Sequence, residues 1–322
     1  MRFISGEQME AAVSPAELLD AVEAAYRDVV AGRDRSPLRT HVALPEGDLL
    51  MMPGVRDGGS GSTVKLVTVT PRNADRGLPT VQALVTWFDA ASGEPMAVLE
   101  GSTLTRMRTG AASGAATRLL ARTDATVMAM VGAGGQAAWQ VRAVLAARPS
   151  IREVRVFART AERREAFAGE MAGELDGVRV AAVSTAEEAV RGADVVCCAT
   201  TSSEPVFEAE WLAPGAHVNG VGAYRLGMVE IPPEAFARAA LVAVDSREAA
   251  RAEAGDLMAA LGAGLMSEDA VVEIGSVDAG WAEGRDPDAI TVFKSVGLAI
   301  QDVAAAELIL ARVSESRGAV RA

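Results

Sequence analysis

A chain of 322 residues, half of them apolar, is long enough for two domains with buried cores. It has no uncharged apolar run of about 18 residues and no basic, then apolar, signal sequence at its start, so neither a membrane protein nor an exported one is expected. The formal net charge of −12 would repel phosphate backbones and excludes nucleic acid as an expected partner, while two adjacent cysteines fit a reducing cytoplasm.

The N-terminal part predicts one amphipathic helix followed by antiparallel strands. SPAELLDAVEAAYRDVVAG has Ser14 as N-cap residue, Pro15 at the first helical position and Gly32 at its end. The runs STVKLVTVTP and PTVQALVTWF alternate with a period of two, and DAASGE joins the second of them to PMAVLE. These runs are predicted to form a sheet that buries one face.

Two cationic side chains of this part are candidates for an active site. Strand alternation puts Lys65 on the otherwise apolar face of Val67 and Val69. There it either extends to solvent from the strand end or is partly desolvated, and desolvation would lower its pKa into a range useful for proton transfer. Arg39 in SPLRTHVALP is either a surface charge or part of a site, and its local sequence does not decide between the two.

GSTLTRMRTGAASGAATRLLA predicts a helix with Ser102 as its N-cap residue. Arg108 has no acid three or four residues away, so its guanidinium is expected to be free for an external anion. The same holds for Arg106. The helical pattern therefore does not choose between the two arginines.

The sequence changes character near residues 120–125. From there short apolar runs alternate with helical segments, which predicts a parallel sheet with right-handed crossovers. The runs are TVMAMVG, VRVFA, VRVAAV, DVVCCAT, AHVNGVG and LVAVD. After the last of them, SVGLAIQDVAAAELILARV predicts a long helix that could pack back on the N-terminal part.

The first of these runs leads into a glycine turn, VGAGGQA, and then into a helix. Such a turn indicates a dinucleotide cradle: the glycines permit a tight turn and a close approach to a pyrophosphate, and an alanine permits close packing of strand and helix. The pattern is weak alone and gains weight from the strand before it and the helix after it. The candidate residues are Gly132, Gly134, Gly135, Gln136 and Ala137.

The next strand, VRVFA, ends at Arg159 and Thr160, where a site for NAD commonly has an acid that binds the ribose. An arginine and a hydroxyl suit the 2′-phosphate of NADP, so NADP(H) is favoured and NAD(H) remains possible. The alternative is that Arg159 is a solvated charge of the run RTAERRE.

Together these segments resemble the ornithine cyclodeaminase and mu-crystallin family, which also includes alanine dehydrogenases and reductases of cyclic or open-chain imino acids. The resemblance runs nearly end to end. It is carried by SPLRTHVALPEGDLLMMPG, VKLVTVTPRNADRGLPTVQALVTWFDAASGEPMAVLEG, LTRMRTGAASGAAT, VGAGGQA, EAGDL and TVFKSVGLAIQDVAAA.

The resemblance implies an α/β fold and a homodimer. A Rossmann dinucleotide-binding domain would span residues 121–295, and a discontinuous α+β domain for substrate binding and dimerisation would comprise residues 1–120 with 296–322. Arg108, with Arg39, would bind the substrate carboxylate, and Lys65 would lie beside the reacting carbon and nitrogen. Further residues would contact the cofactor, namely Thr109, Thr200, Val221, Gly222 and Ser295.

One segment departs from the family pattern. Cyclodeaminases of this family carry a pattern like GxDxPGKxE just after the fifth Rossmann strand. This chain instead has GAYRLGMVE, with Tyr224 at the aspartate position and Met228 at the lysine position. The group that would act on the ring-forming amine is missing, which favours a reductase. Tyr224 and Arg225 are then candidates for contacting the substrate.

The favoured function is an NAD(P)H-dependent reductase of α-imino acids, of the ketimine, iminosuccinate or iminopropionate type, that forms an amino acid and can run in reverse as a dehydrogenase. Arg72 and Arg225 would supply charge for a dicarboxylate, or they are surface charges. The alternatives are an ornithine or lysine cyclodeaminase with tightly bound NAD and a non-enzymatic ligand-binding protein. With only His41 and His217 in the chain, no histidine-rich metal site is expected.

Overall fold

The computed structural model describes residues 1–319. The chain divides into two compact units, of which the first comprises residues 1–108 with the segment from Leu298 onward and the second comprises Thr109–Gly297. None of the described helices is both long enough and apolar enough to cross a bilayer.

The first unit contains a six-stranded sheet in the order β1-β6-β5-β4-β3-β2. β1 runs parallel to β6, and every other neighbouring pair is antiparallel. The predicted strands of this part are therefore confirmed, and three further strands accompany them. The six strands are β1 (Arg2–Ile4), β2 (Thr40–Leu44), β3 (Gly47–Val55), β4 (Gly61–Val69), β5 (Val81–Asp89) and β6 (Pro95–Glu100).

The two faces of this sheet differ in burial. In β4 the side chains at every second position from Gly61 to Val69 are buried, as the period-two pattern predicts. On the opposite face Leu66 is paired with Met51 on one side and with Leu84 on the other, and Leu66 and Leu84 are 44% and 49% exposed. This outer face of the sheet therefore presents a row of apolar side chains across three strands.

Three helices accompany these strands, namely α1 (Gly6–Ala12), α2 (Pro15–Val30) and α3 (Gly101–Leu120). α2 begins as predicted, with Ser14 and Glu17 forming a reciprocal capping box and Pro15 in the first turn. The prediction that Ser102 caps α3 is wrong. The cap is the Glu100 carboxylate, which accepts hydrogen bonds from the backbone N–H groups of Ser102 and Thr103, so Ser102 lies inside the helix.

The second unit contains an eight-stranded sheet in the order β13-β12-β14-β11-β10-β7-β8-β9, and all of its neighbouring pairs are parallel. The strands are β7 (Val127–Val131), β8 (Glu153–Phe157), β9 (Arg179–Ala182), β10 (Val195–Cys198), β11 (His217–Gly220), β12 (Ala239–Val244), β13 (Val271–Glu273) and β14 (Ile290–Lys294). Its helices are α4 (Ala137–Ala147), α5 (Ala161–Glu174), α6 (Ala186–Val190), α7 (Pro233–Arg238), α8 (Arg247–Glu253), α9 (Gly255–Gly262) and α10 (Trp281–Gly284).

This strand order confirms the predicted Rossmann-like sheet and adds two strands to it, β13 and β14. The direction of winding reverses between β7 and β10. In open parallel sheets, ligands bind outside the carboxyl ends of the strands at such a switch point. The glycine turn after β7 lies at this edge.

The last helix, α11 (Ala299–Ala319), belongs to the first unit. It packs against α2, β3 and β4, with Ile300, Val303 and Ala306 buried. The helix predicted from residue 295 therefore begins four residues later, because Ser295, Val296 and Gly297 form a turn that is bound to the Asp245 carboxylate.

Candidate active site

Lys65, Arg108 and Asp302 form a buried charged cluster within the first unit, called here the Lys65 cluster. Lys65 comes from the inner face of β4, Arg108 from α3 and Asp302 from α11. The Lys65 Nζ atom is 2.7 Å from Asp302 Oδ2, and the Arg108 Nε atom is 3.2 Å from Asp302 Oδ1. Lys65 is 1% exposed and Asp302 is fully buried, so the structure favours the desolvated alternative for Lys65.

The prediction that the Arg108 guanidinium is free for an external anion is wrong. Besides the ion pair with Asp302, its Nη1 donates a hydrogen bond of 2.8 Å to Gln301 Oε1. Both partners lie on α11, almost 200 residues away in the chain, so the spacing within α3 could not reveal them. Arg106, by contrast, donates to the neighbouring Thr103 hydroxyl. The structure therefore separates two arginines that the helical pattern left equivalent.

Burial lowers the pKa of Lys65 from 10.5 to about 7, and the positive charges of Arg108 and Arg39 act in the same direction. Asp302 opposes this shift through its charge and its hydrogen bond. The cluster thus holds an amine that both gains and loses a proton near neutral pH. Its two cations, Lys65 and Arg108, share the Asp302 carboxylate, so with Lys65 protonated the cluster carries an excess of positive charge that fits an anionic ligand.

The glycine turn of the second unit has the geometry of a dinucleotide cradle. Gly132 has φ +112°, and a Cβ atom there would lie 2.6 Å from the Ala199 carbonyl oxygen, so a side chain cannot be accommodated. Around Gly134, a Cβ atom would meet no heavy atom within 4 Å. Gly134 and Gly135 are exposed, Gln136 is the N-cap residue of α4, and Ala137 is buried. The turn thus leaves room for a phosphate at a helix N-terminus.

Arg159 and Thr160 lie just after β8, and both are exposed. Thr160 is the N-cap residue of α5, but its side chain makes no capping hydrogen bond. The residues that end β8 therefore present a guanidinium and a hydroxyl instead of an acid. Thr109, the first residue of the second unit, is 6% exposed on α3.

Glu230 joins the turns that follow two neighbouring strands, β10 and β11. Its buried carboxylate accepts hydrogen bonds from the backbone N–H and the hydroxyl of Thr200, and from the backbone N–H groups of Gly222 and Ala223. A Cβ atom at Gly222 would lie 2.2 Å from the Thr200 carbonyl oxygen, so the two turns touch. Thr200 and Gly222 were predicted from the sequence to be near the cofactor, whereas Glu230 was not.

A second buried lysine supports the same turn. The Lys294 Nζ atom donates a hydrogen bond of 2.6 Å to the Ala223 carbonyl oxygen and lies 2.7 Å from Asp256 Oδ2. Asp256 Oδ1 in turn accepts from the backbone N–H groups of Glu230 and Ile231. Burial raises the pKa of the Glu230 carboxyl, while the charge of Lys294 acts to lower it.

Ser295, another predicted cofactor contact, is 2% exposed. Its hydroxyl donates a 2.8 Å hydrogen bond to Asp245 Oδ2, which also accepts from the backbone N–H groups of Val296 and Gly297. Val221, the remaining residue of that set, donates its backbone N–H to the Cys198 carbonyl oxygen. Each of these residues lies at the carboxyl end of a strand of the parallel sheet.

Tyr224 is half-buried and Arg225 is exposed in the turn between Ala223 and Met228. Arg72 is a surface residue whose side chain is 70% exposed and pairs at 3.8 Å with Glu46. The structure therefore favours the surface-charge reading for Arg72. Among residues 1–319, no group of His, Cys, Asp or Glu side chains is arranged to hold a metal ion.

Sequence reasoning missed the buried acids that face the two lysines. A signal was available, because the chain has only two lysines among its 31 basic residues. Both are fully or almost fully buried, and each is paired with an aspartate. All the remaining Lys and Arg positions are arginines, so the two lysines mark the positions of a buried amine.

Comparison with known proteins gives full-length matches. The sequence profile of the ornithine cyclodeaminase/mu-crystallin family matches residues 3–317. The chain is 39% identical to a Delta(1)-pyrroline-2-carboxylate reductase of Bacillus cereus over 319 residues, which cover 98% of this chain and 97% of that protein.

Two solved structures share the architecture. The Delta(1)-pyrroline-2-carboxylate reductase of Thermococcus litoralis, in complex with NADH and L-proline, superposes with a TM-score of 0.92 at 35% identity and 98% coverage of both chains. An archaeal alanine dehydrogenase dimer with bound NAD has a TM-score of 0.88 at 34% identity, covering 98% of this chain and 96% of that one.

Proposed function

This chain belongs to the ornithine cyclodeaminase/mu-crystallin family, and on that premise we propose that it is an NAD(P)H-dependent reductase of α-imino acids that forms an amino acid and can run in reverse as a dehydrogenase. The observation that carries the proposal is the buried Lys65 cluster, in which an amine with a pKa of about 7 lies beside an arginine. This arrangement supplies a proton for the imine nitrogen and a cation for the carboxylate, which reduction of an imino acid needs in addition to a hydride.

The substrate that we favour is a cyclic imino monocarboxylate such as Δ1-pyrroline-2-carboxylate. The relatives from Bacillus cereus and Thermococcus litoralis are reductases of this compound, and the latter was solved with L-proline. An iminosuccinate-type dicarboxylate has less support, because Arg72 is exposed and paired with Glu46. Iminopropionate stays open, since an archaeal alanine dehydrogenase has the same architecture.

In this proposal Arg108, helped by Arg39, binds the carboxylate and so fixes the C=N group of the substrate. Lys65 hydrogen-bonds the imine nitrogen and gives it a proton. A bound reduced nicotinamide supplies the hydride that the imine carbon takes up. Tyr224 and Arg225 would contact the remainder of the substrate.

The dinucleotide would be held by the glycine turn, from Gly132 to Ala137, with Thr109 at its phosphates. Thr200, Val221, Gly222 and Ser295 would support the ribose and the nicotinamide through the turns that they form. We favour NADP(H) over NAD(H) because Arg159 and Thr160 replace the acid that would bind a ribose hydroxyl. The two solved relatives bind NADH or NAD, so this preference is a proposal for this chain alone.

The competing functions have less support. A cyclodeaminase would need a group at Tyr224 that acts on the amine, and the half-buried tyrosine replaces the aspartate expected there. A purely ligand-binding protein would have no use for a proton donor such as Lys65. A cytoplasmic location, predicted from the sequence, stays a prediction.

The proposal is tested by following NADPH and NADH oxidation with a panel of imino acids, with Δ1-pyrroline-2-carboxylate as the first. We expect turnover with this substrate and a loss of at least about a hundredfold in kcat for Lys65→Met, because the general acid is removed. NADH binding, measured by its fluorescence, should be unchanged in that variant. Ammonia release from ornithine without net change in NADH would instead identify a cyclodeaminase.

A further inference from the structure

Asp302 occupies a central position among the charges of the Lys65 cluster. It is fully buried near the start of α11, with one carboxylate oxygen 2.7 Å from the Lys65 amine and the other 3.2 Å from the Arg108 guanidinium. One carboxylate therefore contacts both of the cations to which we assign direct roles in binding and proton transfer.

Gln301, the residue before Asp302, also holds the Arg108 guanidinium in place. The Gln301 amide accepts from Arg108 and donates a hydrogen bond of 2.6 Å to the Tyr26 hydroxyl on α2, so both ends of the amide are bound. The Gln301 amide oxygen also accepts from the backbone N–H of Leu298, which ties it to the first turn of α11. Two consecutive side chains of one helix thus orient the same guanidinium.

Several elements contribute the charges that face Lys65. Arg108 on α3 and Arg39, just before β2, are cations that disfavour its protonated form, as burial does. Asp302 on α11 favours that form. Tyr26 on α2 reaches the cluster through Gln301. Without the Asp302 carboxylate, a desolvated ammonium would face two guanidinium groups and would lose its proton at neutral pH.

We propose that Asp302 is a positioning residue for the reaction proposed above: it keeps a proton on Lys65 and holds the amine and the Arg108 guanidinium in the arrangement that binds the nitrogen and the carboxylate of one substrate. When the proton is transferred, an N–H bond of the Lys65 ammonium breaks and an N–H bond forms at the imine nitrogen. Asp302 remains a carboxylate throughout, and Lys65 takes its next proton from solvent. The inference rests on the proposed function.

A direct test measures the titration of Lys65 without any substrate. Protein labelled with ¹³C at the ε-carbon of lysine gives two signals, because Lys65 and Lys294 are the only lysines, and Lys65→Met assigns them. In Asp302→Asn, which keeps the shape and removes the charge, we expect the pKa of Lys65 to fall by about one unit or more. An unchanged Lys65 titration overturns the proposal, whether or not an imino acid is the substrate.

A kinetic test uses the pH profile of kcat. The wild type should lose turnover as the pH rises through the Lys65 titration, and Asp302→Asn should lose it about one unit or more lower, so that its deficit at pH 8 is about five- to tenfold larger than at pH 6. An equal loss at every pH indicates a merely structural role and overturns the proposal. Failure of the proposed function itself is distinguishable, because the wild type would then oxidise no NAD(P)H with any imino acid.

The matched control is Glu307→Gln, which removes an acid from the same helix that pairs with Arg56 and Ser60 instead of Lys65. It should leave both the Lys65 titration and the pH profile unchanged. If Asp302→Asn does not fold, Asp302→Glu replaces it. That variant keeps the charge and moves it by one methylene, so we expect a wild-type Lys65 titration with about tenfold lower kcat. Wild-type kcat in Asp302→Glu also overturns the proposal.

Discussion

Arg159 is the residue on which the choice between the two dinucleotides depends in our proposal. Its exposed guanidinium follows β8, where an acid would bind the ribose of NAD. We expect Arg159→Ala to raise the Kd of NADPH about tenfold, because one charge-assisted hydrogen bond contributes about 1.5–3 kcal/mol before solvent screening. The Kd of NADH should change less than about twofold.

Fluorescence titration of each dinucleotide measures both constants. Arg163→Ala is the matched control, since Arg163 is an exposed arginine of the same run, RTAERRE, on α5. Equal weakening of NADPH and NADH by Arg159→Ala would contradict the assignment to the 2′-phosphate. If Arg163→Ala weakened NADPH binding as much as Arg159→Ala does, the effect would come from the overall positive charge of the run and not from Arg159.

Lys65 and Arg108 illustrate what single residues reveal from sequence alone. The face of β4 that carries Lys65 was predictable, because strand alternation is local. The extent of its burial and the ion pair of Arg108 were not predictable from the sequence. Both depend on Asp302, which comes from a helix at the other end of the chain. Spacing within one helix reports only the partners that the same helix supplies.

At the scale of elements, the turns after β10 and β11 depend on the Glu230 carboxylate. We expect Glu230→Gln to raise the Kd of NADH about tenfold or more, because the amide NH₂ would face N–H donors and leave buried groups unsatisfied, at about 1–3 kcal/mol for each. The Lys65 titration should stay as in the wild type. Glu234→Gln, an exposed acid of α7, is the control, and an unchanged NADH affinity in Glu230→Gln would show that the turns do not support the cofactor.

The elements also differ in how well the sequence predicts them. α2 and three strands of the first sheet, β4, β5 and β6, were predicted because capping boxes and period-two alternation lie within a few residues. β14 was missed: all five of its residues are buried, so it shows no alternation, and it ends in the charged Lys294. It lies between β11 and β12, although it follows both in the chain. That position depends on sheet topology, which no local pattern specifies.

At the scale of the whole molecule, we propose a homodimer that uses the outer face of the first sheet. An archaeal relative is a dimer, and here Met51, Leu66 and Leu84 form a row of neighbours on that face. Contiguous exposed apolar patches often mark protein–protein interaction sites. The face would contribute to an interface of about 800 Å² per partner, which a stable dimer requires.

Leu66→Glu should therefore shift the mass in solution from twice 33.3 kDa toward 33.3 kDa, because a carboxylate at the centre of an apolar interface is desolvated without a partner. Light scattering coupled to gel filtration measures this. Leu265→Glu serves as control, since Leu265 is an exposed leucine of the second unit, at 38%. A Leu66→Glu protein that keeps the dimer mass would exclude this face as the interface.

The scarcity of lysine has a practical consequence. Both ε-amines of the chain are buried in the folded protein, at 1% and 0% exposure, so an amine-reactive reagent has no lysine to modify at its surface. Acylation or glycation of lysine by a reagent too large to enter the proposed substrate site must wait until a unit opens. Because Lys65 belongs to the first unit and Lys294 to the second, the order in which the two become labelled reports which unit opens first.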